Sequence, residues 1–236
     1  MALDALGVHW YILFSTVFFA VFSLFRFSVN IGFVERPVVQ GGLWGMVIGQ
    51  PELGLKVGFF FELLWLDLFP AGTFIPPQAV FSVFASLVLG KILMATQPDQ
   101  IFILMLCTIP LAFLGSWLEG RQREWQNKSY NLLLRWAARK QSHTPPQKMV
   151  AASIRQQMIL NMVFGLSSLY FLYFCGLRLL PFIPDTNYFT WPMAWLMAGV
   201  GGIMALRVRK AYAFFFLGLA GVAAFMLIEW LNFLPV

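Results

Sequence analysis

Apolar runs long enough to cross a lipid bilayer follow one another along most of the chain: Val8 to Phe25, Ile101 to Leu118, Met158 to Leu177 and Tyr212 to Phe233. A helix needs about 20 predominantly apolar residues to span a hydrocarbon core of about 30 Å. In that medium, backbone polar groups cannot turn to water and must be satisfied within the helix. These runs therefore predict an all-α fold, a polytopic transmembrane helical bundle. Ala79 to Leu93 and Trp191 to Leu206 read as further conventional crossings. Divided this way, the 236 residues allow roughly seven or eight passes, folded as a single integral membrane domain over residues 1–236.

Only 11% of the residues are charged and 60% are hydrophobic, against roughly 25% charged in soluble domains. Water is thus excluded as the main solvent. The net charge of +6 does not point to nucleic acid, because a phosphate-binding footprint requires a solvated basic face. The basic residues instead set orientation in the membrane. Cys107 and Cys175 each lie inside an apolar run, which suggests neither a disulfide framework nor a metal site. The first run lacks a preceding basic stretch and a following small-residue cleavage site, so it is expected to stay as the first helix.

Residues 119–156 form the longest polar stretch, with Arg121, Arg123, Lys128, Arg135, Arg139, Lys140, Lys148 and Arg155 against Glu119 and Glu124. By the positive-inside rule this is a basic cytoplasmic loop. Trp125, Tyr130, Leu133, Leu134 and Trp136 within it predict an amphipathic interfacial helix, ended near His143 by Pro145 and Pro146. It is read first as a segment lying on lipid headgroups, and otherwise as a docking surface for a cytoplasmic partner. Counting crossings outward from it places Gln97 to Gln100 and both chain termini outside, in a multi-pass protein of the inner (plasma) membrane.

The segment from Pro37 to Phe69 breaks the pattern. Pro37 to Gly49 is too short to cross at about 1.5 Å per residue. Leu53 to Phe69 lies between Pro51 and Pro70 and carries Lys56, Glu62 and Asp67. Together they predict an interrupted, re-entrant hairpin. Gly54, Gly58 and Glu62 recur every four residues and share one helical face, with Trp65 three residues further on. A carboxylate for hydroxyls beside an indole for a ring face suits a small polyhydroxylated ligand. An ionisable residue at membrane depth is a functional candidate by default, and discontinuous segments of this kind mark transporter sites. The alternative is a glycine-lined packing seam in which Glu62 is protonated or bonded to a neighbouring helix. Asp67 lies about 140° around the helix from Glu62, off its face unless the backbone breaks. Glu52 and Lys56 form an i, i+4 pair that neutralises both at the hairpin tip.

No GxSxG, HExxH or Walker pattern is present, and His9 and His143 are the only histidines. His9 reads as an interfacial anchor beside Trp10 and Tyr11, and nothing near His143 marks a phosphoryl acceptor. No catalytic residue, metal site or cofactor is expected, and the chain reads as a non-enzyme.

The series Glu35-Arg36-Pro37, Gly49, Gly54, Gly58, Glu62, Gly72 and Pro77 resembles the IIC membrane subunits of the mannose/sorbose family of sugar phosphotransferase systems. Gly201-Gly202 and the run Phe214 to Gly218 add a weaker C-terminal similarity. The resemblance implies a permease component that conducts a hexose or related sugar inward by an elevator-like movement, for phosphorylation by a separate IIB protein. It implies as partners a membrane IID subunit, soluble IIA and IIB phosphocarriers and further copies of the chain, with the phosphoryl-donor histidine on another protein. Glu62 matches the motif glutamate, and the substrate-binding candidates in this chain are Glu62, Asp67, Trp65, Gln78 and Gln50. The chain departs from the family pattern at Gln78, where an acid is common, and at Asp67, Pro70 and Glu35. Those departures motivate a second reading, a non-transporting structural or regulatory relative that binds a partner through the basic loop. A membrane-embedded enzyme built on Glu62 and Asp67 is disfavoured by their divergent facing.

Overall fold

The computed structural model describes residues 5–28, 36–66, 68, 75–138, 146–183, 189–206, 213 and 216–217. Glu35, Asp67, Pro70, Gly72, His143 and nearly all of the apolar run Tyr212 to Phe233 lie outside the described residues. Seven α-helices are described: α1 (Ala5–Ser28), α2 (Pro37–Ile48), α3 (Pro51–Leu64), α4 (Ala79–Ile92), α5 (Pro98–Ala138), α6 (Pro146–Leu179) and α7 (Trp191–Ala205). A single 3-10 turn, Leu180–Phe182, follows α6, and no strand occurs among the described residues.

Among the described residues, three helical stretches are long and apolar enough to cross a membrane, Leu6–Leu24, Pro98–Asn127 and Val150–Phe182. The α2, α4 and α7 helices are apolar but shorter. The run Ala79 to Leu93, expected as a conventional crossing, is one of these. At 14 residues, α4 extends roughly 21 Å, and every residue from Phe81 to Gly90 is buried. A helix that is apolar all round is surrounded on all sides, and α4 contacts α1, α2, α3, α5 and α6. Its hydrophobicity is that of a core helix.

Aromatic rings fill this core. Phe84 of α4 stacks on Phe19 of α1, with centroids 5.0 Å apart, and meets Trp44 of α2 at 4.6 Å. Phe81 contacts Phe164 of α6 at 4.8 Å. Each ring buries a large apolar area, and offset or edge-on geometries at these separations add about 0.5–1.5 kcal/mol per pair. Helices α1 and α6 are also joined by polar contacts at two levels. His9 Nδ1 lies 3.0 Å from the Tyr170 hydroxyl, and Asn161 Nδ2 donates to Ser23 Oγ at 2.6 Å.

The basic stretch after Leu118 differs from the expected loop. Its first part continues α5 without a break as far as Ala138, and residues from Pro146 onward already belong to α6. The physical reason is local. Between Glu119 and Ala138 there is no proline, most residues are good helix formers, and charges pair along the helix: Arg123 donates to the buried Glu119 at 2.6 Å and Arg121 to the exposed Glu124 at 3.4 Å. The predicted amphipathic helix is thus an extension of a membrane helix.

Candidate functional site

The hairpin predicted between Pro37 and Phe69 is formed by α2 and α3. Gly49 ends α2 in the left-handed conformation, φ 80°, where glycine carries no Cβ penalty. The Gly49 N–H donates to Met46 O at 3.1 Å and the Gln50 N–H to Gly45 O at 2.7 Å, closing the last turn as in a Schellman motif. Pro51 then starts α3, at a position where a missing N–H costs nothing. Two residues thus reverse the chain.

The returning helix lies backbone to backbone on the first. A Cβ on Gly41 or Gly54 would collide with the other residue's carbonyl oxygen, and one on Gly45 would sit 2.9 Å from Gln50 O. A Cβ on Gly58 would meet Val38 Cα at 2.9 Å. The glycines at four-residue spacing therefore form a packing seam, which is what close helix approach requires of small residues. On the other side of α3, a Cβ on Gly202 of α7 would strike Leu63 O, and Trp195 Nε1 donates to Lys56 O at 3.1 Å.

Glu62 stands at the end of the glycine seam. Its Oε1 accepts from Arg36 Nη1 at 2.9 Å, and its Oε2 faces the Val38 N–H at 3.4 Å. The carboxylate thereby caps the N-terminus of α2, where unpaired N–H groups and the helix dipole favour a negative charge. The pair is accessible, with side chains 45% exposed for Arg36 and 21% for Glu62. An ionised carboxylate offers about four lone-pair sites, and these two contacts use two of them. The remaining capacity suits hydroxyl donors.

The other candidates sit elsewhere. Trp65 ends α3 with its ring stacked on Phe61, centroids 5.0 Å apart and planes at 18°. Gln50 is exposed at the hairpin turn, twelve positions before Glu62 and so roughly 18 Å away along the helix. Gln78 is buried where α4 begins. Its N–H donates to Ala112 O at 3.1 Å and its Nε2 to Gly115 O at 3.3 Å, docking the start of α4 onto α5. Asp67 lies outside the described residues. Glu52 and Lys56 pair at 2.6 Å, as their spacing predicts, and the Lys56 ammonium also lies 5.8 Å from the centre of the Trp191 ring.

Sequence reading by spacing missed Arg36 as the partner of Glu62, because 26 positions separate them and only the tight Gly49-Gln50 turn brings them together. The Arg-Pro step at the start of α2 was the available signal. Among the described residues no group of three or more His, Cys, Asp or Glu side chains could hold a metal ion.

A short hairpin held by a glycine seam and carrying a capped carboxylate, in a bundle that includes helices long and apolar enough to cross a membrane, is an arrangement suited to a membrane transport subunit. The family model for the sorbose-specific IIC component of the phosphotransferase system matches residues 10–233. The chain belongs to that family, a sugar permease IIC component that works with other proteins of the phosphotransferase system. No curated protein matches it.

Proposed function

We propose that this chain is the sugar-translocating subunit of a mannose-type system, moving a hexose or related sugar across the plasma membrane for phosphorylation by a separate IIB protein. It acts with a membrane IID subunit, soluble IIA and IIB phosphocarriers and further copies of itself, and performs no phosphoryl transfer of its own. The observation that carries this reading is the Arg36–Glu62 pair, an accessible charged pair at the open end of an otherwise closed glycine seam. In this reading Glu62 accepts hydrogen bonds from sugar hydroxyls, Arg36 positions the carboxylate, and Trp65, Gln78, Asp67 and Gln50 are the further candidates for contacts along the sugar's path.

Uptake of a panel of labelled hexoses and amino sugars tests this in cells that also supply IID and the phosphocarriers. With Glu62→Gln, uptake falls by about tenfold or more, in line with about 1.5–3 kcal/mol for a hydrogen bond to a charged group. Undiminished uptake removes Glu62 from the mechanism. The continuation of α5 through Ala138, with Trp125 and Leu134 exposed on its polar end, favours a second reading as a regulatory relative that docks a soluble protein. That reading requires a folded protein that binds no sugar and copurifies with a soluble partner through residues 119–156.

A further inference from the structure

We infer that Gln78 is a positioning residue for the sugar site, a clamp that couples the Glu62 hairpin to the inner arm of α5. The inference rests on the transport reading above and narrows the part of Gln78 from sugar contact to positioning. Gln78 is 8% exposed at the start of α4, and its backbone and side-chain N–H groups both go to α5. The backbone N–H donates to Ala112 O at 3.1 Å and Nε2 to Gly115 O at 3.3 Å, carbonyls three residues apart and so on one side of that helix. Only glycine admits the amide here, because a Cβ on Gly115 would lie 2.6 Å from Gln78 Oε1. Further along α5, a Cβ on Gly120 would meet Ile75 at 3.6 Å. The stretch from Ile75 to Gln78 thus lies along α5 between Gly120 and Ala112.

The α4 helix in turn carries the hairpin. Both α2 and α3 pack on α4, and Phe84 meets Trp44 with ring centroids 4.6 Å apart. Trp44 is eight residues along α2 from Arg36, roughly 12 Å, so a shift of α4 reaches the Arg36–Glu62 pair through closely packed rings, which transmit strain. The α5 helix has the form of a lever at the clamp. Pro110 lies inside the helix, two residues before Ala112, and is exposed. An interior proline removes a hydrogen bond from the helical ladder and is a usual place for a helix to bend. From Ala112 the helix runs to Ala138 without another proline. Glu119, 1% exposed and bound by Arg123 at 2.6 Å, seats this arm one turn beyond Gly115. Movement about Pro110 therefore carries Gln78, α4 and the hairpin together with the polar end of α5. A sugar that shifts the hairpin shifts that end in return, because coupling between two sites is reciprocal.

The test reads binding and movement separately on the full-length chain, purified in detergent with the membrane subunits that accompany it. Cys107 and Cys175 are replaced by serine, and Asn127→Cys, at an exposed position on the arm, carries an environment-sensitive fluorophore. Mannose, fructose, sorbose and glucosamine are added in turn. A sugar that binds raises the thermal midpoint by mass action and also changes the fluorescence. In Gln78→Leu, which keeps the bulk and loses the amide, the midpoint rise persists while the fluorescence change falls by about fivefold or more. Pro110→Ala restores the ladder at an exposed position and gives the same split, so it decides the matter if Gln78→Leu does not fold. The inference is overturned by a midpoint rise without a fluorescence change in the parent, or by an undiminished fluorescence response in either variant. Loss of the midpoint rise in a folded Gln78→Leu also overturns it, since Gln78 is then a sugar contact. No midpoint rise with any of the four sugars overturns the transport reading, and this inference with it.

Discussion

The energetic weight of the Arg36–Glu62 contact depends on how far water screens it. A fully buried ion pair that loses one partner is destabilised by about 3–5 kcal/mol, whereas exposed pairs contribute about 0–1 kcal/mol. With Arg36 45% and Glu62 21% exposed, the coupling expected is about 1 kcal/mol. A double-mutant cycle with Arg36→Gln and Glu62→Gln, read from thermal midpoints in detergent, returns that coupling. Transport responds differently. If Glu62 bonds the sugar and Arg36 orients the carboxylate, Glu62→Gln lowers the maximal rate and raises the half-saturating concentration together, and Arg36→Lys keeps more uptake than Arg36→Gln. Equal stability losses with unchanged uptake reduce the pair to a structural clip. At the same scale, Gln78 makes room for a specific test. A Cβ on Gly115 would lie 2.6 Å from Gln78 Oε1 and 2.8 Å from its Cδ, so Gly115→Ala costs about 1–2 kcal/mol. In a Gln78→Ala background Gly115→Ala costs much less than in the parent, and an undiminished cost puts the clash elsewhere.

Among the elements, the hairpin was the most legible in the amino-acid sequence. Pro37 and Pro51 mark two helix starts, and Gly49 between them is the residue a left-handed cap demands. The four-residue spacing of Gly54 and Gly58 placed them on one face with Glu62, but spacing alone left open whether that face met a ligand or a helix. Gly41 and Gly45 decide it for the glycines, since they bring the α2 backbone into direct contact. The continuity of α5 was not legible, because the change from apolar to basic composition after Leu118 marks a change of solvent and not of backbone. Nor was the docking role of Gln78, which depends on a partner carbonyl 37 positions away. The two kinds of hairpin glycine separate by substitution. Nothing lies within 4 Å of a Cβ on Gly49, so Gly49→Ala carries only left-handed strain of about 1–2 kcal/mol. Gly54→Ala forces two backbones apart and costs about 3 kcal/mol, the upper end of overpacking. Midpoints in the reverse order remove the seam as the element's main constraint.

At the scale of the whole molecule, three long helices occur with a set of shorter ones among the described residues, and the distribution of charge along the chain argues for one orientation in the membrane. The parts of α5 and α6 that flank residues 139–145 in the sequence carry Arg121, Arg123, Lys128, Arg135, Lys148 and Arg155, and moving such clusters across a bilayer is disfavoured. The opposite end of α5 begins at Pro98 and Asp99, next to Thr96, and carries no such cluster. Cysteine accessibility settles the orientation in intact cells. Cys107 and Cys175 are first replaced by serine, and Thr96→Cys or Asn127→Cys is then introduced, both positions being exposed. A membrane-impermeant maleimide is expected to label Thr96→Cys in intact cells and Asn127→Cys only after permeabilisation. The reverse pattern inverts the molecule, and with it the side from which Arg36 and Glu62 would receive a sugar.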